Sequence, residues 1–112
     1  MSDCLFCKIV AGDIPSTKVF EDDRIFVFKD IAPKAAVHLL VIPKVHITSL
    51  DELEPSHAEL MSHMMLKLPE LARSQGLENG FRTIINTGPG GGQEVGHLHI
   101  HLLGGSGLPG FN

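Results

Sequence analysis

The chain has 112 residues, 43% of them hydrophobic, which is enough to bury one core, and we predict a single domain over residues 1–112. Nine lysines and arginines stand against thirteen aspartates and glutamates, and no basic stretch occurs, which argues against a surface for nucleic acid or for an anionic membrane. The N-terminal segment lacks the apolar core of a signal peptide, and no apolar run reaches the length of a membrane span. A cytoplasmic location is therefore expected.

The N-terminal quarter predicts a short helix and a hairpin. In SDCLFCKIVAGDIP the apolar residues recur at helical spacing after Ser2 or Asp3, and Gly12 is suited to end the helix. The apolar runs KVFED and RIFVFKDI follow, and the turn-like pair Asp22–Asp23 between them predicts two antiparallel strands.

The middle of the chain predicts a buried strand and the main helix. AVHLLVIPK is β-rich from Val37 to Ile42, has His38 as its one polar side chain, and ends at Pro43. From Glu54 to Gly76 the apolar residues follow helical spacing, so one broad helix face is expected to be apolar. That face carries Leu60, Met61, Met64, Met65, Leu68 and Leu71. Pro69 lies inside this segment, and we expect it to kink the helix or divide it in two.

Two further strands complete the pattern. GFRTIINTG and GHLHIHLLGG have strand composition and are joined by the glycine-rich GPGGGQEV. Strands in runs with one long helix predict an α+β domain, with a mainly antiparallel five-stranded sheet covered on one side by helix and a short N-terminal helix.

Three histidines at alternate positions of the last strand, His97, His99 and His101, would share one face. A solvated face that happens to carry histidine is the plainest interpretation, but the neighbouring residues are strongly apolar. A single ion held by all three is disfavoured, because the outer two would lie ~13 Å apart on an extended strand. A third interpretation is catalytic, since a neutral imidazole can attack phosphorus or carbonyl carbon.

The glycine-rich loop before the histidines suits an anion. Glycine backbones can approach a phosphate closely and turn their N–H groups toward it. The loop has neither the Lys-Ser/Thr ending of a Walker-type loop nor a dinucleotide-binding fingerprint, and alone it is typical of an ordinary hairpin connection. Followed at once by three histidines on one face, it favours phosphate chemistry.

HLHIHLL, from His97 to Leu103, matches the His-x-His-x-His-x-x motif of the histidine triad family. The segments IVAGDIPSTKVFEDDRIFVFKDIAPKAAVHLLVIPKVHI and GFRTIINTGPGGGQEVGHLHIHLLGG extend the match, and the chain resembles the Hint-type branch of that family, in a bacterial-like form, over nearly its whole length. The resemblance implies the histidine triad fold and a homodimer.

The resemblance also implies an activity, the hydrolysis of purine nucleoside 5'-phosphoramidates through a covalent nucleotidyl-histidine. His99 would be the nucleophile, His101 would bind the phosphate oxygens, and His38 would orient the nucleophile. The positions that would contact the nucleotide are Asp30 and Ile31 for ribose and base, and Asn86, Gly92, Gln93 and Glu94 for the phosphate. No catalytic cofactor is implied. Without the resemblance, a turn residue is the ordinary interpretation of Asp30, and a satisfied core histidine that of His38.

Two departures from the family pattern bear on the substrate. Eukaryotic Hint proteins carry serine at the position of Glu94, and the ending GGSGLPGFN lacks the tryptophan of some eukaryotic members. Three other activities therefore stay open: hydrolysis of dinucleoside polyphosphates, a nucleotide-binding scaffold with vestigial hydrolysis, and metal-dependent hydrolysis.

The cysteine pair Cys4 and Cys7 has the spacing of a zinc half-site. Two idle thiols and a redox pair are the alternatives, although redox motifs of this spacing usually follow a strand. Some bacterial relatives hold a structural zinc with such a pair and two histidines, which by resemblance would be His46 and His97. The two remaining histidines, His57 and His63, are expected on the surface of the long helix.

Overall fold

A computed structural model describes residues 3–110 of the chain, so Ser2, one of the two expected starts of the first helix, lies outside the described residues, as do the outermost positions of the predicted domain. The described part forms one antiparallel five-stranded sheet with strand order β1-β2-β3-β5-β4. The strands are β1 Lys18–Glu21, β2 Ile25–Lys29, β3 Val37–Pro43, β4 Arg82–Ile84 and β5 Ile100–Gly104. The predicted α+β class is confirmed.

The short first helix, α1, spans Leu5–Ala11 and is capped differently from the sequence prediction. Its N-cap is Cys4, whose Sγ accepts a hydrogen bond from the Cys7 N–H at 3.3 Å. Gly12 ends the helix as predicted, because it adopts the left-handed conformation (φ 85°) that glycine tolerates best. The cap therefore brings the two cysteines to one end of α1.

The long helix, α2, spans Ala58–Ser74 and is preceded by a 3-10 turn at Pro55–His57. The helix is continuous through Pro69, so the expected division into two pieces does not occur. Proline removes only one backbone hydrogen bond, and the flanking Leu68 and Leu71 are buried in the core. One residue expected on the apolar helix face, Met65, is 50% exposed, so that face is narrower than the sequence predicts.

Both faces of the sheet are buried, which corrects the expectation of helix on one side only. On one face, α2 packs its Met64 and Leu68 against residues that include Val27 and Ile100. On the other face, Phe6 and Ile9 of α1 pack against a second apolar cluster, which comprises Phe26, Phe28, Leu40 and Ile42. The seven-residue α1 carries two bulky apolar side chains, and together with partly buried residues such as Ile14 and Val95 these cover the cluster.

Within residues 3–110, no helix combines the length and the apolar character needed to cross a bilayer.

Candidate functional site

The pairing of β3 with β5 brings His38 and His101 together. In the antiparallel register Leu40 lies opposite His101, and His38 lies opposite Leu103. The two histidines are therefore diagonal neighbours, and Nε2 of His38 lies 2.9 Å from Nδ1 of His101. They line a cavity of about 560 Å³ on the face of the sheet that α1 covers, and His99 lines it as well.

Hydrogen bonds assign the tautomers of His38 and His101. The backbone N–H of Lys34 donates to Nδ1 of His38 at 3.1 Å, so in the neutral ring the hydrogen sits on Nε2. That Nε2–H donates to Nδ1 of His101, with an oxygen of Asp30 3.4 Å away as a second acceptor. His101 then carries its own hydrogen on Nε2, as a donor for an anion in the cavity.

His99 is held in the opposite tautomer. Its Nδ1 lies 2.7 Å from the backbone oxygen of His97, and because a carbonyl can only accept, Nδ1 carries the hydrogen. Nε2 of the neutral ring consequently has a free lone pair. The ring is buried, and Phe6 packs edge-on against it with centroids 5.2 Å apart. One side chain thus combines a fixed orientation with an unprotonated nitrogen.

Burial keeps the supporting histidines neutral. Burial, followed by the nearby His99 and His38, lowers the pKa of His101 to about 4. Burial also lowers the pKa of His38, although Asp30 opposes that shift. Both rings are neutral near pH 7, as the chain of N–H donors through them requires.

Asp30 and Ile31 lie directly after β2, at the rim of the cavity. One carboxylate oxygen of Asp30 accepts from the Ala32 N–H at 2.8 Å, and the other faces His38, so Asp30 is a turn residue and a cavity residue at once. Each oxygen retains a lone pair that can accept from a hydroxyl group. Ile31 is 97% exposed and offers an uncovered apolar surface beside it.

The glycine-rich loop closes another side of the cavity, and its four expected phosphate residues divide into two groups. Asn86, Gly92 and Glu94 line the cavity. Gln93 is turned into the loop, where its oxygen accepts from the Gly88 N–H and its amide donates to the carbonyls of Thr48 and Val95. Gly92 has φ 80°, which favours glycine. Gln93 therefore stabilises the conformation of the loop.

Apolar and charged residues that the sequence did not single out complete the cavity. Phe6, Ile14 and Phe28 form an apolar wall, and Lys34 adds a positive charge. Phe26 and Phe28 lie on one face of β2 and Val27 lies on the other, and all three side chains are buried. The unbroken apolar run IFVF was the available signal, because a strand buried on both faces needs a second covering layer.

The two cysteines meet His46 and His97 beside this cavity. One ligand atom from each of the four residues lies within 4.8 Å of the others. Sγ of Cys4 is 3.3 Å from Nδ1 of His97, and Sγ of Cys7 is 3.3 Å from Nδ1 of His46. Tetrahedral zinc with two sulfur and two nitrogen ligands requires separations of about 3.5 Å between ligand atoms. The donor set fits zinc.

His97 is oriented for this role by its other nitrogen. Its Nε2 donates to the carbonyl of Pro43 at 2.8 Å, which leaves the lone pair of Nδ1 directed at the thiols. Burial, ahead of any other influence, lowers the pKa of His97, so the ring is neutral as a metal ligand must be.

A family model described as "Scavenger mRNA decapping enzyme C-term binding" matches residues 3–109. Protein HitA of Neisseria gonorrhoeae is 57% identical over 104 residues, which cover 93% of this chain and 97% of HitA. A histidine triad protein from Clostridium difficile has the same fold with a TM-score of 0.93, at 46% identity, and the match covers 100% of this chain and 98% of that one. The chain belongs to the histidine triad family. The resemblance drawn from HLHIHLL is thereby confirmed.

Other histidine triad proteins bear names that describe an activity or a metal. A HIT family hydrolase from Legionella pneumophila has a TM-score of 0.90 at 49% identity, covering 92% of this chain and 93% of that one. Two plant relatives are each 44% identical over 106 residues: a 14 kDa zinc-binding protein of Zea mays and Adenylylsulfatase HINT1 of Arabidopsis thaliana, of which the match covers 83% and 72%. In each case it covers 93% of this chain. The family thus includes hydrolases.

The two helix histidines lie away from the cavity, but only in part on the surface. His57 is half-buried, and its Nδ1 accepts from the Glu54 N–H at 3.0 Å. His63 is half-buried too, with Nε2 2.6 Å from a carboxylate oxygen of Asp22. Both histidines are thus partly exposed at the surface, and each ring also has a specific partner.

Proposed function

We propose that the protein is a nucleotide hydrolase that cleaves purine nucleoside 5'-phosphoramidates through a covalent nucleotidyl-His99 intermediate. The observation that carries this proposal is the tautomer of His99, whose Nε2 has a free lone pair in a cavity that His101 and His38 line with neutral donors. A nucleophile of this kind needs no base to remove a proton before it attacks.

Two displacements at phosphorus account for the reaction. In the first, Nε2 of His99 forms a bond to phosphorus while the bond to the leaving amine breaks, and the departing nitrogen takes up a proton from solvent water. The imidazole becomes cationic, and its Nδ1–H bond to the His97 carbonyl stabilises that charge. In the second, water attacks phosphorus, its proton departs, and His99 is released neutral. The Nε2–H of His101 is the donor for the phosphate oxygens.

The cavity supports a nucleoside as the group transferred. Phe6, Ile14 and Phe28 offer an apolar wall for a base, and Asp30 offers two acceptor oxygens for ribose hydroxyls. Adenylyl sulfate, suggested by the name of the Arabidopsis relative, and dinucleoside polyphosphates would place the same phosphorus against His99 with different leaving groups. Phosphoramidates, adenylyl sulfate and dinucleoside polyphosphates should therefore be compared as substrates in the same assay.

Trapping of the intermediate tests the proposal. Protein mixed with substrate labelled at the α-phosphate and quenched in alkali, where phosphorus–imidazole bonds survive, should carry label on His99. His99→Ala should lose the label and at least about 1,000-fold in turnover while it retains affinity for AMP. His57→Ala is the matched control, because its ring lies outside the cavity, and it should label normally. Label or undiminished turnover in His99→Ala would overturn the proposal, and chelation that abolished turnover while the protein stayed folded would favour the metal-dependent alternative.

We propose that Cys4, Cys7, His46 and His97 hold a structural zinc ion. The support is the chemistry of the donor set, two thiols and two imidazoles at tetrahedral separations, together with the name of the Zea mays relative. The ion would supply no catalytic step. It would tie α1 to the segment after β3 and to the start of the histidine motif.

We propose that two copies of the chain form a dimer through β4 and α2. Within residues 3–110, β4 is an edge strand with one unpaired side, and Met65 and Leu66 of α2 are 50% and 70% exposed. Unpaired strand edges and exposed apolar side chains are typical of contact surfaces. Light scattering should give twice the chain mass, and Leu66→Glu should lower it toward that of one chain, whereas Glu59→Lys, an exposed change at the start of the same helix, should not. A monomeric wild-type protein would contradict this proposal.

A further inference from the structure

The N-terminal helix α1 contributes to two sites. The start of the helix carries two of the four donors of the cysteine–histidine cluster. The cluster comprises Cys4, Cys7, His46 and His97. The same helix forms part of the wall of the cavity at His99, through Phe6 and Ile9. A displacement of α1 would therefore alter the metal donor set and the cavity wall together.

The position of α1 depends on contacts with the rest of the chain. The helix has seven residues, whereas a helix needs about 12–15 residues to be even marginally stable on its own. Two of its side chains, Phe6 and Ile9, are buried. When the cluster holds an ion, the start of α1 is also fixed to the segment after β3 and to the start of the histidine motif. The ion thus adds a restraint that the two buried side chains alone do not supply.

Phe6 connects the cluster to the proposed nucleophile. It stands between the two cysteines in sequence, and its buried ring packs edge-to-face on the rings of both His97 and His99. The centroids are 5.9 and 5.2 Å apart, with interplanar angles of 67° and 89°, which are favourable geometries for aromatic pairs. One ring therefore contacts a metal donor and the nucleophile at the same time.

A second connection runs through His97 itself. Its ring is held between the Cys4 thiol, 3.3 Å from Nδ1, and the Pro43 carbonyl, 2.8 Å from Nε2. Its backbone oxygen accepts the Nδ1–H of His99 at 2.7 Å. Because ring and carbonyl belong to one residue, a restraint on the cluster also restrains the acceptor that orients His99.

We propose that metal binding at the cysteine–histidine cluster and nucleotide binding in the cavity at His99 strengthen each other, and that Phe6 transmits this coupling. The inference rests on the proposed function and the proposed zinc site, and it adds a way in which metal supply regulates the cavity. Both sites are complete in the same position of α1, so each ligand favours that position and makes the binding of the other more favourable. Such coupling is reciprocal, because each ligand must raise the affinity for the other by the same factor.

Binding constants measured in both directions test the coupling without turnover. The dissociation constant of AMP is measured by calorimetry with zinc-loaded and metal-free protein. That of zinc is measured by competition with a chromophoric chelator, with and without saturating AMP. Zinc should tighten AMP binding about tenfold, and AMP should tighten zinc binding by the same factor.

Phe6→Leu and Phe28→Leu form a matched pair of variants. Both residues are buried and line the cavity, and their rings pack on each other with centroids 5.5 Å apart. Among the aromatic contacts of residues 3–110, Phe28 pairs with Phe6 and Phe26 and not with His97. Phe6→Leu should bind both ligands with a coupling factor near one, whereas Phe28→Leu should bind AMP more weakly and keep the wild-type factor.

The outcomes separate this proposal from the proposed function. A coupling factor of one in the wild type, with AMP bound, would overturn the coupling and leave the proposed function standing, even if a variant does not fold. Equal coupling in both variants, as general folding on metal binding would give, would overturn the role of Phe6. A wild-type protein that binds no zinc would overturn the coupling together with the zinc site, and one that binds no AMP would overturn the coupling together with the proposed function.

Discussion

Nε2 of His38 lies 2.9 Å from Nδ1 of His101, and this contact joins two strands through a directed hydrogen bond. The direction of this hydrogen bond is set by Lys34, because its backbone N–H donates to Nδ1 of His38 and so leaves the ring hydrogen on Nε2. Protonation of His101 on Nδ1 would remove the acceptor and place a charge in a buried site. The arrangement therefore works only while both rings are neutral.

The pH dependence of stability should report this constraint. The pKa of His101 is about 4 in the folded protein and near 6.5 in the unfolded chain, so between these values the unfolded state binds more protons. The contribution of His101 to stability is fully present above pH 6.5 and is lost as the pH falls toward 4. Urea unfolding at pH 7.5, 5.5 and 4.5 should show a steeper loss for the wild type than for His101→Gln. Parallel curves for the two proteins would contradict the prediction.

Asp30→Asn separates the turn role of Asp30 from its proposed role in ribose binding. Asparagine keeps an oxygen to accept from the Ala32 N–H, so the turn is retained, but the charged acceptor is lost. A hydrogen bond to a charged group contributes about 1.5–3 kcal/mol, so AMP should bind at least about tenfold more weakly. The affinity for 2'-deoxy-AMP should change less, since that ligand has one hydroxyl fewer. Calorimetric titration of both nucleotides measures this, and equal losses would argue against ribose recognition.

Metal content should depend on the four ligands and on no other histidine. Purified wild-type protein should contain about one zinc per chain by elemental analysis, and His46→Ala and Cys4→Ser should lose it together with several degrees of Tm. Binding should also release protons, because burial and the neighbouring Cys4 raise the pKa of the Cys7 thiol. His57→Ala, whose ring is not near the cluster, serves as the control. Full stability and unchanged zinc in Cys4→Ser would refute the site.

The sequence predicted those features of the site that depend on local spacing. Alternation along HLHIHLL correctly separated the core residues Ile100 and Leu102 from the histidines, although β5 begins only at Ile100. His97 and His99 lie before that strand. The two histidines differ because of a backbone contact. The carbonyl oxygen of His97 accepts a hydrogen bond from Nδ1–H of His99, whereas the ring of His97 faces the cysteine thiols.

Features that depend on contacts between distant segments could not be predicted from spacing. Phe6 stands between the two cysteines and packs on both His97 and His99, at 5.9 and 5.2 Å between ring centroids. Nothing in CLFC indicates that its phenylalanine would form a wall of the cavity at His99.

The contact between Asp22 and His63 allows a prediction about stability away from the site. Asp22 lies in the turn between β1 and β2, and one of its oxygens accepts from the backbone N–H groups of Arg24 and Ile25, each at 2.8 Å. Its other oxygen lies 2.6 Å from Nε2 of His63 on α2. Burial acts to raise the pKa of Asp22, but the two backbone donors and then His63 outweigh it and lower that pKa to about 2. The stabilisation is present above the unfolded value of about 3.9 and is lost as the pH falls toward 2.

A double-mutant cycle isolates the part of this stabilisation that joins helix to sheet. Asp22→Asn preserves the oxygen that accepts from Arg24 and Ile25, yet its amide cannot accept from His63, so the variant removes only the contact with α2. With His63→Ala as the partner mutation, urea unfolding at pH 6 should give a coupling energy of about 1 kcal/mol, because both side chains are partly exposed. The difference between wild type and Asp22→Asn should shrink as the pH approaches 2. A coupling energy near zero would mean that the backbone donors alone hold the pKa of Asp22 low, and that the turn is stabilised independently of α2.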